Sequence, residues 1–134
     1  MIIDTHLIVF VLAILGIAEA LYLNYECRRN RAPVCLIGDE CHIVWESSYS
    51  KTLGVSNEIL GIIFYVAVAT IELDLISGDT SPLMVIGETL ALTAGALVSL
   101  YFLYIQWRVI KAWCFWCTLS AIIVWLMVVA RATL

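Results

Sequence analysis

Charge is what this sequence is short of. Of its 134 residues only 13% are Asp, Glu, Lys or Arg, while 63% are hydrophobic and the mean hydropathy is +1.02. A soluble domain needs roughly a quarter of its residues charged to cover its surface, so a water-soluble fold is excluded. A basic stripe is also missing: 7 Lys and Arg stand against 11 Asp and Glu, a net charge of -4, with the acids scattered along the chain. That removes nucleic acid as a partner. Nor does lysine or arginine precede the first apolar stretch, where Asp4 and His6 stand instead. Ala18-Glu19-Ala20 resembles a small-residue cleavage site, but without a positive lead the stretch reads as a retained span and not as a signal peptide.

What is there in quantity is apolar length. Four stretches, about residues 7–25, 58–76, 83–105 and 113–131, each approach the ~20 residues that cross a ~30 Å hydrocarbon core. The expectation is one all-α membrane domain over 1–134: a four-transmembrane-helix bundle capped at one end by a cysteine-containing loop, residues 27–57. The second stretch is the weakest. Its apolar run from Ile59 to Ile71 is short, and Glu72 and Asp74 are expected at the water boundary. Parity then does structural work, because four spans put both termini on one side and loops 27–57 and 106–112 together on the other. Both cysteine pairs, Cys35 with Cys41 and Cys114 with Cys117, therefore share a face.

Inside the spans, Gly87, Ala91, Gly95 and Ser99 recur at every fourth position, and Gly16 with Ala20 makes a shorter version. Such smooth stripes let helices approach closely and read as packing seams. Glu19 lies ~9 Å from the cysteine-side end of its helix at 1.5 Å per residue, and Glu88 a similar depth from the opposite face, so the two are not expected to pair. An intramembrane carboxylate is a functional candidate because its charge is costly in lipid; for Glu88 the plainer explanation, a hydrogen bond to a neighbouring helix, is preferred. Trp107 and Trp113 read as interfacial anchors.

The chemistry lies in the thiols. Cys114-Phe115-Trp116-Cys117 opens the last span, placing two thiols one turn apart on one helix face. Cys114, at the first turn, meets unpaired backbone N–H groups and the positive end of the helix dipole, with Arg108 and Lys111 nearby, all of which favour a thiolate. Cys117, about 4.5 Å deeper, faces a more apolar setting, which suggests an exposed thiol for exchange and an inner one for a membrane-soluble acceptor. Phe115 and Trp116 read as lipid-facing fillers. Cys35 and Cys41 enclose five residues including Gly38, a spacing that closes into a loop disulfide and can swing to exchange with a second dithiol. A static staple is the plainer alternative on the loop alone. A tetrahedral zinc site on Cys35, Cys41, Cys114 and Cys117, with His42 as a substitute ligand, is the competing reading, weakened by a loop spacing wider than usual. Cys27 is left over as a bystander.

Taken in order, Cys35, Cys41, Tyr49, the run Gly54-Val55-Ser56-Asn57-Glu58-Ile59-Leu60-Gly61 and Cys114-Phe115-Trp116-Cys117 resemble the vitamin K epoxide reductase family over nearly the whole chain. The resemblance implies a four-helix bundle around a quinone site, with Cys117 reducing the quinone and Cys114 exchanging with Cys41, while Cys35 receives electrons from a substrate protein. It implies a quinone of the menaquinone or ubiquinone kind. Ser56 matches the family's hydroxyl residue near the active site, and Asn57 falls where animal members use an asparagine to hydrogen-bond the quinone carbonyl. Both are also good N-cap residues for the second helix. Two departures count. Animal members carry a tyrosine four positions after the inner cysteine, where Ala121 stands here, which weighs against epoxide reduction; many bacterial members carry a fused thioredoxin-like domain, whereas this chain ends at Leu134, so a separate thioredoxin-like protein is the expected electron donor.

Sidedness is read from the basic residues. Arg28, Arg29, Arg31, Lys51, Arg108 and Lys111 fall on the cysteine side and Arg131 alone on the other, six against one. The positive-inside rule then predicts a cytoplasmic cysteine face, whereas the family's usual orientation puts it outside the cytoplasm.

Overall fold

The computed structural model describes residues 2–28, 51–52, 55–78, 81–111 and 115–133. The loop expected to cap the bundle lies almost entirely outside them, as do Cys35, Cys41 and Cys114. Four helices are long and apolar enough to cross a membrane. They are α1 (Ile2–Arg28), α2 (Asn57–Ile76), α3 (Pro82–Tyr104) and α4 (Phe115–Thr133). A short antiparallel pair, β1 (Lys51–Thr52) and β2 (Val55–Ser56), delivers the chain into α2.

Local sequence accounts for the helix ends. α2 closes through Ser77 N–H donating to the Leu73 carbonyl at 3.0 Å and Gly78 N–H to the Leu75 carbonyl at 3.3 Å. Gly78 has φ 107, a left-handed geometry in which a side chain would be strained although nothing crowds the position. α3 starts where Ser81, in extended conformation, accepts from Met84 N–H at 3.4 Å, and Pro82 supplies the preset first turn. Beyond Tyr104 the helix does not stop. It widens into a π-helical stretch, Ile105–Ile110, that ends at Lys111 with φ 59. Most of the expected 106–112 loop is thus helical: Ile105 and Gln106 are buried, and extending an existing helix is far easier than starting one. Gln106 Nε2 donates to the Phe102 carbonyl at 3.4 Å, satisfying one carbonyl at the transition.

The bundle has the inverse pattern of a soluble protein. Large apolar residues such as Leu15, Ile63, Leu83, Leu90 and Leu97 are exposed, as a lipid-facing surface allows, while the buried set includes Ala13, Ala20, Ala69, Ala96, Ala121 and Ala130 alongside polar residues. In lipid, helices gain little by hiding leucine from one another, so close packing and hydrogen bonds hold them. Phe64 and Tyr65 of α2 illustrate this. As neighbours on one helix they point about 100° apart, the Tyr65 ring lying over Gly16 of α1 and the Phe64 ring over Gly95 of α3. A β-carbon at either glycine would collide with the ring. Gly87 meets Ile71 of α2 in the same seam. Ser99 has left it: each four-residue step advances the face by about 40°, so after three steps the stripe has turned toward α4, where Ser99 Oγ accepts from Trp125 Nε1 at 2.9 Å.

Candidate functional site

Cys117 is the one expected redox thiol whose surroundings are described. It is half-buried in the first turn of α4. One turn deeper on the same face, about 4.5 Å along the axis, Ser120 meets α2: the Tyr65 hydroxyl donates to the Ser120 carbonyl at 3.3 Å and lies 2.6 Å from Ser120 Oγ. Tyr65 is buried. Ala121, where the resemblance calls for tyrosine, is buried in the next position. Trp116 differs from its lipid-facing expectation, since its ring is 5.1 Å from that of Tyr22 on α1 and 5.1 Å, edge-on, from Phe115. Hydrophobicity alone does not separate a lipid-facing indole from one that seals two helices.

Asn57 is the first residue of α2 and is half-buried. Ser56 precedes it in β2, paired with Lys51. The Tyr65–Ser120 contact sets the N-terminal half of α2 beside that of α4, so Asn57 and Cys117 belong to the same end of the bundle. Asn57 and Cys117 are both half-buried, and the part-buried Tyr65–Ser120 hydroxyl contact lies deeper in the bundle than either. Toward the same face, Trp107 is exposed and carries the Arg108 guanidinium 4.1 Å from its ring centroid, as an interfacial anchor would. Trp113 and His42 lie outside the described residues.

The opposite end holds what the sequence did not announce. Glu72, expected at the water boundary, is fully buried, with one oxygen 2.6 Å from His6 Nδ1 of α1. The same ring nitrogen stands 3.1 Å from Glu88 Oε2 of α3, and Glu88 Oε1 accepts from Arg131 Nε of α4 at 2.5 Å. Glu88 is therefore hydrogen-bonded to a neighbouring helix as expected, and Glu72 is drawn inward because it finds a nitrogen partner there. One residue from each helix joins this cluster, which requires the up-down order that parity predicts: His6 near the start of α1, Glu72 near the end of α2, Glu88 near the start of α3 and Arg131 near the end of α4. The available signal was the pair of acids in apolar stretches and the single basic residue on their side.

No curated protein matches the chain. A model of the vitamin K epoxide reductase family matches residues 7–132, from the first span to the last turn of the fourth. With four candidate spans beneath that match, the chain is a multi-pass membrane oxidoreductase that belongs to the vitamin K epoxide reductase family.

Proposed function

We propose that this protein is a quinone-coupled thiol oxidase that promotes disulfide formation in other proteins. The observation that carries the reading is the family match over residues 7–132 combined with Cys114-Phe115-Trp116-Cys117 at the start of α4. A reduced dithiol on a separate thioredoxin-like protein attacks the Cys35–Cys41 disulfide and leaves as a disulfide. Cys41, now a thiolate, attacks Cys114 of the Cys114–Cys117 disulfide and releases Cys117 as the thiolate; Cys35 then attacks Cys41 of the mixed disulfide, re-forming Cys35–Cys41 and releasing Cys114 as a thiolate. A quinone held there would supply the acceptor for two electrons and two protons and leave as the quinol. Cys117 delivers the electron pair as Cys114–Cys117 re-forms, Asn57 holds a carbonyl oxygen through its amide N–H, and Ser56 supports that edge through its hydroxyl. The driving force belongs to the acceptor's higher potential; the chain supplies position and thiolate activation.

Ala121 in place of the tyrosine supports quinone over epoxide as substrate. The six-to-one bias of basic residues supports a cytoplasmic cysteine face. Disulfide formation there requires a cytosol that tolerates disulfides, as in hyperthermophiles. Rapid labelling of intact cells by a membrane-impermeant maleimide would reverse that orientation.

The deciding experiment is to purify the protein from its native lipids, identify the co-purifying quinone, and follow its reduction by a reduced thioredoxin-like protein. Cys117→Ala should abolish reduction while Cys114 still forms a trappable mixed disulfide with the loop pair. Full quinone turnover in that variant, or stoichiometric zinc bound to the four thiols with no quinone, would reject the reading.

A further inference from the structure

The cluster remote from the cysteines has no part in that chemistry. His6, Glu72 and Glu88 are 4%, 0% and 2% exposed and come from three different helices. One donor atom from each, His6 Nδ1 and a carboxylate oxygen of each glutamate, lies within 4.8 Å of the other two. Nδ1 carries one hydrogen at most, so it can serve one carboxylate well, yet it stands 2.6 Å from Glu72 Oε2 and 3.1 Å from Glu88 Oε2. Glu88 Oε2 and Glu72 Oε1 are buried without a geometrically sound hydrogen bond, although the two carboxyl groups face each other closely enough to share a proton. An unsatisfied buried acceptor costs ~1–3 kcal/mol, and more when charged. Two carboxyl groups and one imidazole nitrogen thus converge on one small buried space.

We propose that His6, Glu72 and Glu88 bind one divalent transition-metal cation of the zinc or manganese class, entering from the side of the membrane that carries the chain termini. One imidazole nitrogen with two carboxylates is a donor set that such ions accept. Ligands ~2.1 Å from a tetrahedral ion stand about 3.4 Å apart. The 3.1 Å separation is already close to this, and the 2.6 Å one has to open by about 0.8 Å as the ion displaces the proton between the two groups. Arg131 orients the site from outside. It holds Glu88 Oε1 and leaves Oε2 turned toward His6, the way a second ring of hydrogen bonds fixes a metal-binding carboxylate. Its side chain, 28% exposed, is the member of the cluster that reaches the surface. A bound ion would tie α1, α2 and α3 together at the end where no thiol can do so.

The test uses the full-length protein in detergent, its thiols blocked with N-ethylmaleimide so that cysteine cannot bind metal, titrated with Co2+ and separately with Zn2+. One equivalent of Co2+ should give visible d–d absorption without the near-ultraviolet band of a thiolate ligand, and Zn2+ should raise the Tm. Glu72→Gln and His6→Gln should each weaken Co2+ at least tenfold and lose the Zn2+-dependent rise in Tm. If Glu72→Gln does not fold, His6→Gln carries the comparison. A wild-type protein that binds no Co2+ and ignores Zn2+ would overturn the proposal in favour of a closed network of shared protons, and so would binding that survives unchanged in His6→Gln.

Discussion

The two ends of this bundle differ in how their chemistry is encoded. At the cysteine end the candidate groups come in local sequence patterns, Cys114-Phe115-Trp116-Cys117 and Ser56-Asn57, each legible from neighbouring residues alone. At the terminus end His6, Glu72, Glu88 and Arg131 are scattered along the chain and become a unit only when four helices cross. The contrast separates two jobs. The groups proposed to take part in electron exchange include Asn57 and Cys117, half-buried at helix starts, whereas the groups that join the helices at the other end are sealed away, where a polar contact has few competitors.

If that division is right, changes at the two ends should fail differently. Cys117→Ala should take quinone turnover to background while leaving unfolding in mixed detergent micelles within ~0.5 kcal/mol of wild type, the usual range for a change that disturbs no buried network; a collapse of the fold would mean that Cys117 is structural. Arg131→Gln should do the reverse, lowering the unfolding free energy by about 3 kcal/mol because it strips the cation from a buried carboxylate. An unchanged unfolding curve would show that Glu88 is content without it. Between the ends, Gly16→Ala drives a methyl group into the Tyr65 ring and should cost about 2 kcal/mol, measured the same way. Tyr65→Phe keeps the ring and deletes only the bond to Ser120, so its loss should be near 0.6–1 kcal/mol. Smallest of all, Cys27→Ala should leave turnover unchanged, and a large loss would mean that the relay includes a fifth thiol.

Much of the architecture was legible before any coordinates. The four apolar helices follow from hydropathy and length, and the smooth stripe of α3 from its four-residue spacing, because membrane packing depends on where side chains are small. Glu72 was misplaced since a carboxylate near a helix end looks solvated until a histidine 66 residues away is brought to it. His6 carried no pattern of its own. The continuation of α3 through Ile105–Ile110 was hidden by Gln106 and Arg108, which look like loop residues although the backbone beneath them stays hydrogen-bonded. For the expected redox residues, Cys117 and Asn57 come to the same end through the Tyr65–Ser120 contact, while Cys35, Cys41 and Cys114 lie outside the described residues.

The adjacent rings of Phe64 and Tyr65 act on α2 as two teeth on one key. Each tooth is seated in a notch that a glycine leaves on a different neighbour, so α2 cannot turn about its own axis without withdrawing both at once. Asn57 rides on the same shaft eight residues away, about 12 Å along it, and inherits that fixed bearing. A substitution at Gly16 or Gly95 would therefore be felt as a mis-aimed amide at a place it never touches.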